Sequence, residues 1–356
     1  MAIQLKPQVL TNAARRFNRI ALNRSGCLKE YLLNKKVKST MNHANTHWSQ
    51  KKERGNSFFL RITLLLVQYT PLFFVRFIAF FVCLYFYLTS KTARNNIKTY
   101  QQKLKNQFPQ TPLPKIMPVY RQFIQFGIAI ADRFAAWQNK IPPERLIYDD
   151  PDNLFNHIKQ NQGRGEIFVC SHLGNVEMVR CFARYWLPDL KMNVLMHGKN
   201  AAKINQALKQ AGAEDMRVVQ VADLDAAQML DLSQRLDAGE WIVIAADRTA
   251  PNENSKTVAV PFLGEKALFP QGAWLMALLL KSPVSLLFAV KKNKQYQLHL
   301  RHFADIPPSV SGKKRQEYIE QTAQKYATIL AEFAAKYPLQ WFNFHNFWQE
   351  KQLVKD

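Results

Sequence analysis

Two residues five positions apart offer the clearest chemistry in this sequence. In the stretch FVCSHLGNVEMVR, residues 168–180, an apolar run from Ile167 to Cys170 stops at Ser171; His172 follows, then Leu-Gly-Asn, and then Glu177. Histidine is the side chain whose ordinary titration range suits proton transfer near neutral pH. A carboxylate one helical turn further on can accept the second ring N–H, fix the tautomer and raise the basicity of the other nitrogen. The pair reads as a general base with its orienting carboxylate. The plain alternative is a capped helix start, in which Gly174 and Asn175 make a tight turn, Asn175 is the N-cap and Glu177 falls in the first turn. H-x4-E by itself does not choose between them. Ser171 lacks the G-x-S-x-G setting of a nucleophile elbow, so the expected chemistry is direct deprotonation of a substrate hydroxyl. One His and one Glu are too few ligands for a metal, and no cofactor is expected.

Elements that could position such a pair follow from the hydrophobic pattern. Short apolar runs occur at Glu166–Cys170, Met192–His197, Met216–Val221, Trp241–Ala246, Thr257–Phe262, Val284–Val290 and Gln295–Arg301. Helical patterns at 175–186, 200–211, 223–238 and 268–281 separate most of them, preceded by helical stretches at 113–138 and 151–161. Strands alternating with helices predict an α/β fold with a largely parallel central sheet of about seven strands flanked by helices. KKNK joins the last two runs as an antiparallel hairpin at one edge. A long amphipathic helix over about 313–336 should end at Tyr337-Pro338. In such a sheet ligands bind beyond the carboxyl ends of the strands, where His172 sits. Asp247 and Arg248 end the Trp241–Ala246 run and belong to the same rim, although a strand-end Asp and a surface Arg are also ordinary. His197 has no nearby carboxylate. His302, with Asp305, falls on the opposite rim and reads as a surface turn.

The chain has 356 residues and a formal charge of +23, from 49 Lys+Arg against 26 Asp+Glu. Such an excess implies an anionic partner: nucleic acid, an anionic membrane or an acidic protein. Residues 1–46 form a basic tail, read as a disordered arm or as an extension ahead of Met41, and without a signal-peptide pattern. Residues 47–110 carry the most apolar stretch, Phe58–Leu88, long enough to span a bilayer but interrupted by Arg61, Gln68, Pro71 and Arg76. It is expected to be a membrane-associated helical segment, dipping into or lying in the interface; the alternative is a buried core helix. Lys91, Arg94, Lys98, Lys103 and Lys105 follow, as suits anionic headgroups on a cytoplasmic face. Residues 111–356 make the main domain. Cys27, Cys83, Cys170 and Cys181 show no metal-ligand spacing and read as free thiols in a reducing compartment.

Four blocks carry a family resemblance: HWSQKKERGNSF at the start, SHLGNVE, ADRTAPNENSKTVAVPFLGEKALFPQGAWLMALLLKSPV, and PLQWFNFHNFW at the end. Over roughly residues 47–349, in the family's order, the sequence resembles the bacterial late acyltransferases of lipid A biosynthesis in the lysophospholipid acyltransferase superfamily. It is most like relatives found with aryl-polyene and other glycolipid-type clusters. The resemblance implies a glycerolipid acyltransferase-like fold and a membrane-associated enzyme on the cytoplasmic face of a bacterial inner membrane. It implies transfer of a fatty acyl group from acyl carrier protein or coenzyme A to a hydroxyl or amine of a lipid or glycolipid. By the same resemblance His172 is the base, Glu177 orients and polarises it, Arg248 stabilises the oxyanion or binds a phosphate, and Asp247 holds a neighbouring cation at the substrate site; Lys199 is a further candidate to supply positive charge there. Phe262, Leu263 and Phe269 are candidates to line an acyl channel, or else core. Where the lipid A enzymes carry an Arg, often followed by Pro, this chain has His197, Lys199 and Lys203, and a lysine does not offer a bidentate fork. The ending QWFNFHNFW also departs from the Trp-x-Trp type; Trp341, Phe344 and Trp348 are expected to pack on the domain or at the interface.

The charge alone would also fit a nucleic-acid-binding protein, but no zinc, RRM-like or helix-turn-helix signature accompanies it, and the Phe-rich stretch opposes it. The remaining competitor is a catalytically inactive membrane-surface scaffold of the same fold.

Overall fold

The computed structural model describes residues 72–348, apart from 138, 161–162, 197–215, 222–223 and 250–255. The expectations for residues 1–71, for the 200–211 helix and for His197, Lys199 and Lys203 therefore lie outside the described residues. The described chain begins with three helices, α1 (Leu72–Thr89), α2 (Lys91–Gln107) and α3 (Pro118–Trp137), and a 3-10 turn at Pro143–Arg145. An alternating series follows: β1 (Leu146–Asp149), α4 (Leu154–Gln160), β2 (Ile167–Cys170), α5 (Glu177–Trp186), β3 (Met192–Met196), β4 (Met216–Gln220), α6 (Ala226–Asp237) and β5 (Trp241–Ala245). Then come β6 (Thr257–Phe262), β7 (Glu265–Pro270), α7 (Gly272–Leu280), β8 (Val284–Lys292), β9 (Gln295–Ala304) and α8 (Gly312–Lys336).

Seven of the strands form one sheet in the order β1-β9-β8-β2-β5-β3-β4. All neighbouring pairs are parallel except β8 with β9. β2 and β5 are interior strands, which is why both read as unbroken apolar runs: each must be apolar on two faces. Alternate residues of β2 feed different layers. Ile167 and Val169 join the core under α7 and α8, whereas Phe168 and Cys170 join the core under α3 and α5. Phe168 stacks on Trp241 of the neighbouring strand at 3.9 Å between ring centres. α8 presents Ile319, Ala323, Tyr326, Ala327 and Leu330 as one buried stripe at helical spacing, and Pro338 follows its end as expected.

Two expectations about the sheet need correction. Thr257–Phe262 is not one of its seven strands; it pairs with Glu265–Pro270 as a separate antiparallel hairpin. Its two-residue turn, Leu263-Gly264, has positive φ at both positions, 51° and 84°, as a hairpin turn that follows the strand twist requires. The helix read at 268–281 loses its first turn to this hairpin and starts at Gly272. The seventh place goes to Leu146–Asp149, which pairs with β9, so the β8–β9 hairpin lies one strand in from the edge.

No single described helix is long and apolar enough to cross a membrane. α1 packs mainly on α3 and leaves Phe74, Phe77, Phe81, Tyr85 and Leu88 exposed, Phe77 at 59% and Leu88 at 63%.

Candidate active site

His172 and Asp247 are brought together by strand register. β2 and β5 are parallel neighbours, with Cys170 opposite Ala245, so both residues stand two positions past the paired strand ends. The Asp247 side chain is completely buried, while that of His172 is 38% exposed. Asp247 Oδ1 lies 2.8 Å from His172 Nδ1. Its Oδ2 accepts the backbone N–H of His172 at 2.9 Å and the indole N–H of Trp341 at 2.9 Å. Burial pushes the carboxyl upward, but the His172 ring, the charge of Arg248 and the Trp341 hydrogen bond together outweigh it and hold Asp247 at about 2. An ionised carboxylate only accepts. Neutral His172 therefore carries its proton on Nδ1 and keeps Nε2 as the basic nitrogen, on a ring that reaches the surface.

The backbone around His172 is clamped from both sides. Gly174 has φ +80°, and a Cβ there would lie 2.0 Å from the carbonyl oxygen of Ala289 in β8; only glycine fits this approach. Gly174 N donates to Gln340 O at 2.9 Å and Asn175 N to Ala289 O at 2.7 Å. The chain after α8 runs alongside, with Leu173 bridged antiparallel to Trp341 and Phe342 N donating to His172 O at 3.0 Å. Tyr326 of α8 donates its hydroxyl to Cys170 O at 2.9 Å, closing the end of β2 from below.

The other candidates fall as follows. Glu177 is the first residue of α5; the contact with Nδ1 expected of it is made by Asp247. Asn175 does not cap that helix: the N-cap is Val176, without a side-chain bond, and the Asn175 amide donates instead to Ala129 O at 3.1 Å. Arg248 Nη2 donates to Phe342 O at 2.6 Å, and burial pulls its guanidinium downward from the usual range against the charge of Asp247. Phe262, Leu263 and Phe269 are buried in the core under α7 and α8, where Phe262 meets Trp341, Phe347 and Trp348. Trp341 and Trp348 pack on the domain, as expected of them, with Trp348 Nε1 donating to Phe262 O. His302 pairs with Asp305 at 3.1 Å in an exposed position on the opposite rim, as the sequence indicated. A groove of about 990 Å³ opens on that side, among residues that include Glu166 and His302. Among the described residues no three His, Cys, Asp or Glu side chains come together as a metal site.

Against this geometry the comparison of sequences is decisive. The family model described as bacterial lipid A biosynthesis acyltransferase matches residues 42–350. The chain belongs to this family. Membership makes acyl transfer involving lipids its class of activity, and His172 with Asp247 lies within the matched region. No curated protein sequence matches the chain at a significant level.

Proposed function

We propose that the protein transfers a fatty acyl group from acyl carrier protein or acyl-coenzyme A to a hydroxyl or amine of a lipid or glycolipid at the cytoplasmic face of the inner membrane. One observation carries the reading: a buried, ionised Asp247 holds Nδ1 of a histidine whose ring is exposed on the carboxyl-end rim of the sheet. In this reading the acceptor O–H gives its proton to His172 Nε2 as its oxygen attacks the thioester carbonyl. The tetrahedral oxyanion then collapses, the C–S bond breaks, and the proton passes from Nε2 to the departing thiolate. Asp247 stabilises the imidazolium formed between these steps, and Glu177, in the first turn of α5, adds negative charge to the same rim. The oxyanion is assigned to Arg248, whose Nη2 also donates to Phe342 O, with Lys199, which lies outside the described residues, as the other candidate cation.

The membrane part of the proposal rests on the exposed aromatic side of α1 and the basic residues of α2. An acidic carrier protein suits the +23 charge equally well. The departures at His197, Lys199 and Lys203, where a lysine offers no bidentate fork, speak against lipid A itself as the acceptor. The test is transfer from labelled acyl carrier protein and from acyl-coenzyme A to a bacterial lipid extract by the detergent-purified protein, read by mass spectrometry. A new acylated lipid with wild type, and none with His172→Gln, is expected. Equal product from both would remove His172 from the chemistry.

A further inference from the structure

Trp341 has zero exposure, and its ring meets Tyr100 and Phe262 edge-on at 4.9 and 5.3 Å. A phenylalanine would serve that packing. The indole differs in its N–H, which must find an acceptor when buried. Here the acceptor is Oδ2 of Asp247, at 2.9 Å. Among the described residues the other two donors to this carboxylate, N and Nδ1, both belong to His172. A carboxylate held only by its own histidine would be free to shift with it. The third donor comes from a different element and ties the pair to a fixed frame. That frame is well anchored: Gln122 donates to Trp341 O at 2.8 Å, and the Gln340 side chain accepts from Lys291 N and donates to Lys291 O at 2.8 and 2.7 Å.

We propose that Trp341 is a positioning residue of the active site, its indole N–H fixing Asp247 and thereby the tautomer and plane of the His172 ring. The inference rests on His172 being the base. The C-terminal segment is then part of the site and not only its cover: it bonds to the base at His172 O, to its carboxylate through Trp341 and to Arg248 through Phe342 O.

The test separates the N–H from the packing. Trp341→Phe removes both the donor and some volume. Site-specific insertion of 3-benzothienylalanine at position 341 keeps the two-ring shape and replaces N–H by sulfur. Two readings are taken on each: kcat and KM for acyl transfer, and the His172 ring-nitrogen signals in ¹⁵N-histidine spectra, assigned by their loss in His172→Gln. For the sulfur isostere the expected result is a retained fold with a melting temperature lowered by no more than a few degrees, unchanged KM, kcat lower by about 10- to 100-fold, and a smaller share of the Nδ1–H tautomer. Wild-type kcat and an unaltered tautomer in the isostere would overturn the proposal, whatever Trp341→Phe does to folding. If the wild type transfers no acyl group, the functional reading fails, while the tautomer measurement still decides whether Trp341 sets the histidine.

Discussion

Asp247→Asn is the substitution whose outcome follows most directly from the geometry. The carboxylate presents Oδ2 to two N–H groups, those of His172 N and Trp341 Nε1, and Oδ1 to the imidazole Nδ1. An asparagine has one oxygen and one NH2. Turning the NH2 toward the two N–H donors would set donors against donors in a fully buried place. The side chain will therefore give its oxygen to those two groups and its NH2 to Nδ1. His172 must then accept at Nδ1 and carry its proton on Nε2, the nitrogen required as the base. The fold keeps its hydrogen-bond count, but the histidine faces substrate in the wrong tautomer. In serine proteases the equivalent change lowers kcat by about 10⁴-fold; a loss of about 10³- to 10⁴-fold in kcat, with KM within about threefold, is expected here. The assays are steady-state acyl transfer and ¹⁵N-histidine spectra of the same sample. Glu177→Gln should leave the tautomer as in the wild type, because its carboxylate does not hold Nδ1. Asp247→Asn activity within about tenfold of wild type, or an unchanged tautomer, would refute the reasoning.

Other expected outcomes concern the frame around the pair. Gly174→Ala must place a Cβ 2.0 Å from Ala289 O at a φ of +80°, and should cost about 3 kcal/mol or more in chemical denaturation. The depression of Asp247 from 3.8 to about 2 corresponds to about 2 kcal/mol. The folded value lies below the unfolded one, so this contribution is complete above about pH 4 and is lost as pH falls toward 2. Stability followed by tryptophan fluorescence should fall more steeply over that window in wild type than in Asp247→Asn. Burial pushes the Cys170 thiol up to about 12, so alkylation at pH 8, mapped by peptide mass spectrometry, should leave Cys170 unmodified in the native protein and modify it only on unfolding.

The sequence was readable where one residue pattern has one structural meaning. The interior strands β2 and β5 read as continuous apolar runs because each is buried on both faces, and that alone puts His172 and Asp247 on one rim. β6 was misplaced because an apolar run of six looks alike in a sheet centre and in a hairpin. Its buried-exposed alternation from Thr257 to Phe262, with Leu263-Gly264 and a second run behind it, was the signal for the hairpin. β1 is only four residues long, at the sheet edge with one buried position and three partly exposed ones, and gives almost no pattern. The partner of Nδ1 was attributed to Glu177 because a carboxylate five residues away is visible in one dimension. Asp247 is 75 residues away, and its contact exists only through the register of two parallel strands. Trp341 read as packing, which it is; its bond to Asp247 depends on a segment crossing the end of the sheet that no local periodicity announces.

The most direct test of the central claim, that His172 is the base of a lipid acyltransferase, is lipid mass spectrometry of cells lacking the protein and complemented with wild type or with His172→Ala. The expected result is one lipid class short of an acyl chain, restored by wild type and not by His172→Ala at equal expression. Restoration by both would contradict the claim and leave H-x4-E as nothing more than the start of a helix.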